Sequence, residues 1–263
     1  MAPPTLTRRA LNRATLARQL LLERVAVPVV DALERLGGLQ AQEPRPPFGA
    51  LWSRLEGFEA QQLHAALHAR TAIRATLMRA TLHLVSAADY AALRPALAPA
   101  LEGAMRSILK QRKAEHLDPA AVVATAQRLA AERPRTFNEL RPLLAEAFPD
   151  VDERALGYAV RMLVPLVMVP TGDAWAFPPD AAFAPAEAWL GEDALPQADE
   201  QALVRRHLAA FGPAAPADVQ AWSGRRGLKP VLEELEPELE VFRDERGRTL
   251  YDLPGARSRT ART

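Results

Sequence analysis

The stretch EQALVRRHLAAFGPAAPADVQAWSGRRGLKPVLEELEPELEVFRDERGRTLYDL, residues 200–253, holds a full cycle of structural signals. Leu203, Val204, Leu208 and Phe211 recur at the spacing of one helix face, and Gly212-Pro213 ends that helix. PADVQAW (216–222) reads as a second short helix closed by Ser223-Gly224, and LKPVLEEL (228–235) as a third. LEVF (239–242) and TLYDL (249–253) flank the polar turn RDERGR, which contains a glycine, and so predict a hairpin. Three helices followed by a strand pair is the plan of a winged helix-turn-helix, in which the hairpin is the wing.

The cycle occurs twice more. Upstream, Asp118 caps a helix over PAAVVATAQRLAAE, Thr136 opens a second helix with Glu139 completing a capping box, and Asp152 opens a third. Leu166–Val169 and Trp175–Phe177 around Thr-Gly-Asp predict the second wing. In the first cycle, Arg13–Arg24 and Pro28–Leu36 read as helices and GGLQAQEPRPPFG as an irregular interruption. A helix through Glu59–Arg70 follows, then a hairpin of Ile73–Leu77 and Thr81–Val85. From Asp89 a helical connector runs on, broken by Pro95 and Pro99. The expected architecture is mainly α with short β-hairpin wings, in tandem winged helix-turn-helix units. The divisions are 1–90 for the first unit, 91–117 for the connector, 118–180 for the second unit and 181–254 for the third. A disordered basic tail, 255–263, completes the chain.

Composition sets limits. The chain has 263 residues, 49% of them hydrophobic and 25% charged, enough to bury a core. It has no cysteine, which excludes thiolate metal sites, disulfides and cysteine nucleophiles. No apolar run is long enough to span a membrane, and LLL at 20–22 is too short for a signal peptide, so a bacterial cytoplasmic location at the nucleoid is expected. The net charge of +1 shows no bulk preference for nucleic acid, but it is graded along the chain. Residues 1–90 carry +4, residues 91–180 carry 0 and residues 181–263 carry −3. The acidic run Glu233–Glu240 would repel phosphate, which assigns the third unit an architectural role rather than DNA reading.

Motifs for nucleotide-binding and nucleophilic enzymes are absent from the sequence. His64 and His68 share a helix face without a third ligand nearby, which fits a solvated or half-buried surface better than a metal site, and no metal or cofactor is expected. His207 reads the same way, and His116 is uninformative. The unusual segment is Gly37-Gly38-Leu39-Gln40-Ala41-Gln42-Glu43-Pro44-Arg45. Two glycines permit backbone conformations closed to other residues, and in an extended stretch Gln40 and Gln42 face the same way. From spacing alone, a polar loop whose glutamines cap helix ends is the preferred reading.

GGLQAQ, with MRATLHLVSAADYAAL (78–93) downstream, resembles the tandem winged-helix DNA glycosylases typified by the azinomycin-resistance enzymes that unhook interstrand crosslinks. The resemblance covers about residues 10–254. It implies a catalytic pair, Gln40 and Gln42, and a monofunctional hydrolase that cleaves the N-glycosidic bond of N7-alkylguanine lesions or crosslinks. Arg45, Arg74 and Arg79, near the motif or the first wing, are candidate phosphate ligands, and Thr81 and His83 of the matching strand segment are candidate DNA contacts, with a structural role for His83 equally open; the implied partner is damaged double-stranded DNA and the working form a monomer. The family continues past the third wing into a region that helps enclose DNA, whereas this sequence ends at GARSRTART, so a chain short of that portion is expected. The competing reading is a non-catalytic winged-helix transcription regulator or protein-interaction scaffold.

Overall fold

A computed structural model describes residues 3–192 and 194–256. The chain begins with a two-residue strand, β1 (Thr5–Leu6), and helix α1 (Arg8–Arg18), capped by the Thr7 hydroxyl. The first unit then runs α2 (Val29–Leu36), β2 (Leu39–Gln40), α3 (Pro46–Trp52), α4 (Ala60–His68) and wing strands β3 (Ala72–Thr76) and β4 (Leu82–Ser86). Helix α5 (Ala87–Gln111) leads to the second unit, α6 (Pro119–Glu132), α7 (Phe137–Ala147), α8 (Glu153–Leu163), β5 (Leu166–Met168) and β6 (Phe183–Pro185). After the short α9 (Ala186–Leu190), the third unit comprises α10 (Glu200–Phe211), α11 (Pro216–Ser223), α12 (Lys229–Leu235), β7 (Glu240–Asp244) and β8 (Thr249–Asp252).

The predicted fold class, mainly α with tandem winged helix-turn-helix units, holds in all three. Each unit also has an extended residue between its first and second helices that pairs antiparallel with the second wing strand. These pairs are Gln40 with His83, Arg135 with Phe183, and Ala214 with Tyr251. The predicted caps form as well: Asp118 accepts from Ala120, Asp152 from Ala155, and Thr136 and Glu139 exchange bonds in a capping box.

Four local expectations are corrected. The first helix is Arg8–Arg18 rather than Arg13–Arg24; the chain turns after it, with Leu20 at φ +54°. PRPPFG, read as irregular, is the start of α3, because Pro46 and Pro47 occupy the first turn, where no amide donor is required. The connector is not broken at Pro95 and Pro99: α5 stays helical through both. Its buried face of Tyr90, Leu93, Leu97, Leu101 and Met105 holds it in place, and the Arg94 guanidinium ties it to the Met162 and Leu163 carbonyls. In the second wing, the partner of β5 is β6 rather than Trp175–Phe177. That partner lies beyond residue 180.

The units do not stand apart. A bridge between Ala75 and Val167 fuses the first two wings into one sheet, ordered β2-β4-β3-β5-β6. One core joins Ile73, Val85, Tyr90 and Leu97 to Leu203, Leu208 and Leu232 of the third unit. A second core joins Leu101 and Met105 to Leu140, Leu156 and Val160 of the second. Helix α5 is thus a spine buried on both sides. The N-terminal segment, expected with the first unit, packs on the third: β1 pairs with β7, and Arg18 makes a two-pronged bond to buried Asp252 at 2.7 and 2.8 Å. The arginine-rich residues 257–263 lie outside the described residues.

Candidate active site

The double glycine sets the geometry of the motif. Gly37 closes α2 at φ +66°, and Gly38 follows at φ +86°, both in the left-handed region. A Cβ on Gly38 would sit 2.6 Å from Val85 Cγ1, so this position also needs glycine for closeness to β4. The chain then enters β2, where Leu39 pairs with Leu84 and Gln40 with His83. The Ala41 amide donates to the Leu82 carbonyl at 2.7 Å, which extends the ladder one residue further. The side chains alternate as an extended strand requires: Gln40 is exposed, Ala41 is fully buried and Gln42 is exposed. Both glutamine amides therefore leave the same face of an edge strand.

Arg74 on β3 clamps this segment from below. Its Nε donates to the Ala41 carbonyl at 2.9 Å and its Nη2 to the Gln42 carbonyl at 3.0 Å. The guanidinium also lies 4.9 Å from the Phe177 ring centroid. Burial pulls its pKa down to about 10, partly offset by the charge of Glu43, so it stays cationic at neutral pH. The Gln42 Oε1 accepts from the Leu82 amide at 3.4 Å, which ties its side chain to the start of β4.

Gln42 borders a cavity of about 440 Å³ between the first and second units. Glu43 and Arg74 line it from one side; Phe137, Tyr158 and Arg161 line it from the other. The volume lies in the range of small-molecule pockets. Arg161 stacks over Phe137 at 4.2 Å, and burial lowers its pKa. Gln40 stands on the exposed strand edge and is not part of this cavity wall.

The expected DNA ligands divide into two sets. Arg45 and Arg79 are exposed. Arg45 lies 5.4 Å from the ring of Trp175, and Arg79, at the first wing tip, donates to the Trp222 carbonyl at 2.6 Å. Arg74 and His83 turn inward, against the expectation that they meet DNA, and Thr81 is half-buried. Arg74 is 4% exposed and committed to the motif backbone. The Thr81 hydroxyl donates to the Met78 carbonyl within the wing turn. His83 is 3% exposed, its Nδ1 donates to the Thr81 carbonyl, and burial pulls its pKa down to about 4. It is therefore a neutral structural residue at physiological pH.

Sequence reading missed the second unit's contribution. Phe137, Tyr158 and Arg161 sat in ordinary helical patterns, and only the i, i+3 spacing of Tyr158 and Arg161 marked a shared face. The sequence predicts a tight wing turn between β5 and its partner. Instead the loop between β5 and β6 reaches into the first unit, burying Ala176 and Phe177 beside Leu33 and Leu51 and placing Trp175 against Phe48. His64 and His68 stack at 6.4 Å on α4, with His64 also beside Phe48.

The fold and site define a tandem winged-helix protein with a glutamine motif beside a cavity between two units. A family profile described as DNA glycosylase AlkZ-like matches residues 33–263, and the chain belongs to the AlkZ-like DNA glycosylase family. The fold is similar to that of the Streptomyces sahachiroi DNA glycosylase AlkZ, with a TM-score of 0.82 and 19% identity. That similarity covers 98% of this chain and 73% of the other. No curated protein matches the sequence. Among the described residues no helix is long and apolar enough to cross a membrane.

Proposed function

We propose that this member of the DNA glycosylase family releases N7-alkylated guanine, including crosslinked guanine, from duplex DNA. One observation carries the reading: two outward glutamine amides on a clamped edge strand, one of them at a cavity between two units. Alkylation at N7 makes the base cationic. When the bond from N9 to the sugar C1′ breaks, its electron pair neutralises the departing base, so no general acid is needed. Water supplies the oxygen to C1′ and loses a proton to solvent, leaving an abasic sugar. The remaining task is to place that water and stabilise an oxocarbenium-like sugar. Amides do not titrate in the working range, so Gln40 and Gln42 act by position and by the dipoles of their carbonyls. Arg74, in the cavity wall, keeps the motif in register, and Arg45 and Arg79 remain as phosphate ligands. The working form is a monomer.

The test is incubation of the protein with duplex DNA containing N7-methylguanine and chromatographic measurement of free base. Release from the damaged duplex and none from its undamaged counterpart is expected. A folded protein that releases no base overturns the reading. Tight preference for one undamaged sequence would instead favour a transcription regulator.

A further inference from the structure

We propose that the cleft between α5, the first wing tip and the α11–α12 turn binds DNA backbone phosphates and leads the strand to the Gln42 cavity. The cleft measures about 710 Å³ and is lined by five cations, Arg79, Arg106, Lys110, Arg225 and Arg226. No carboxylate is among the described residues that line it. The net charge of +1 therefore conceals a strongly cationic surface.

The shape fits a backbone rather than a small anion. On α5, Pro99, Gly103, Arg106 and Lys110 recur at helical spacing, so the face between the cations is small and open. A Cβ on Gly103 would meet only the mobile end of Arg106, at 3.7 Å. On the opposite side the wing tip is docked, not free. Gly224, at φ +79°, brings the end of α11 close enough that its Cβ position lies 3.3 Å from Arg79 Cα. The Arg79 bond to Trp222 closes the same contact. The wing tip and the end of α11 are thereby fixed relative to one another.

Not all five are available to the same degree. Arg225 pairs with Glu200, and Arg106 approaches Glu102 at 3.9 Å. Lys110 and Arg226 are exposed and hold no ion pair among the described residues. Ala80, next to Arg79, lines both this cleft and the Gln42 cavity, so the two are contiguous at the wing tip. A strand lying along α5 can pass its target nucleotide around Ala80 into the cavity, which is the geometry a base must follow to leave the stack. The third unit, expected to be architectural because of Glu233–Glu240, contributes through its Gly224–Arg226 turn, which precedes that acidic run.

That the ligand is duplex DNA rests on the glycosylase reading, so the experiment separates the two. Binding of an undamaged fluorescent duplex is measured across salt concentration for wild type, for Lys110→Ala/Arg226→Ala, and for Lys229→Ala, whose lysine lies outside the cleft on α12. The double variant is expected to flatten the slope of log affinity against log salt by about two, roughly 0.9 per lost phosphate contact. Lys229→Ala is expected to leave the slope unchanged. In base release, the double variant should raise KM with kcat preserved. All three proteins should unfold at the same urea midpoint. A double variant with the wild-type slope overturns the proposal, even if wild type releases base. A flattened slope with no base release by wild type keeps the cleft and overturns the chemistry.

Discussion

The first and third units pass through the same point of the same pattern with different side chains. In the first, β2 meets the second wing strand at Gln40 and His83; in the third, Ala214 meets Tyr251. The third unit fills this position with Ala214 and Ala215, both buried. The first unit instead approaches it through two left-handed glycines and leaves it with two exposed amides. Each unit also has a buried arginine bond. Arg74 fastens the glutamine motif to the first wing, whereas Arg18 fastens the N-terminal helix to the third. The comparison teaches that the scaffold is repeated while the exposed amide pair is placed once, at the repeat whose connecting strand is held by a neighbouring cation.

The largest expected effect tests the structural side. Asp252→Ala leaves Arg18 buried without its partner and should cost about 3–5 kcal/mol of stability in urea unfolding. Base release per folded molecule should stay near wild type. A loss of release with the fold intact would place the third unit's arginine bond in the chemistry and end the distinction.

Arg74→Met is next. It strips the Ala41 and Gln42 carbonyls of a charged donor and should cost about 2–3 kcal/mol. If the proposed function holds, base release should fall with kcat more than KM, since the clamp holds the proposed catalytic glutamines in register. Unchanged kcat would show that the motif keeps its register without Arg74.

The smallest effect concerns pH. Burial pulls His83 in the first unit and His207 in the third from 6.5 to about 4. Between those values the unfolded chain binds more protons than the folded one, so stability is retained above pH 6.5 and lost as pH falls toward 4. Asp89, raised to about 6 mainly by burial, acts in the opposite sense between 3.8 and 6 and offsets part of this loss. The two ring nitrogens of His207 are buried without hydrogen-bond partners, between Phe211 and Trp222. His207→Phe should therefore fold at least as well at pH 7 and lose less stability between pH 7 and pH 5, read from urea midpoints. A slope identical to wild type would mean that His207 does not titrate in this window.

The sequence made the helices legible wherever their ends were marked. Asp118, Thr136 with Glu139, and Asp152 fix the second unit's helix starts through bonds the structure contains. Tertiary packing decided where local signals failed. Pro95 and Pro99 are ordinarily helix breakers, yet the two cores that grip α5 override them. Thr171-Gly172-Asp173 signals a turn, but Phe177 finds its apolar surroundings in another unit, so the strand after the turn never forms. Of the site, the glutamines and glycines were readable because residue type and spacing coincide within a few positions. The inward turn of Arg74 and His83, and the cavity wall from Phe137 and Tyr158, depend on how the units pack, to which periodicity along one chain is blind.

The central claim is that the exposed amides of the first unit do the chemistry. It is tested most directly by single-turnover release of N7-methylguanine from duplex DNA by wild type, Gln40→Ala and Gln42→Ala at saturating protein. Wild type should release the base, and each alanine variant should be slower by about a hundredfold or more with DNA binding unchanged. Release by both folded variants at the wild-type rate would contradict the account.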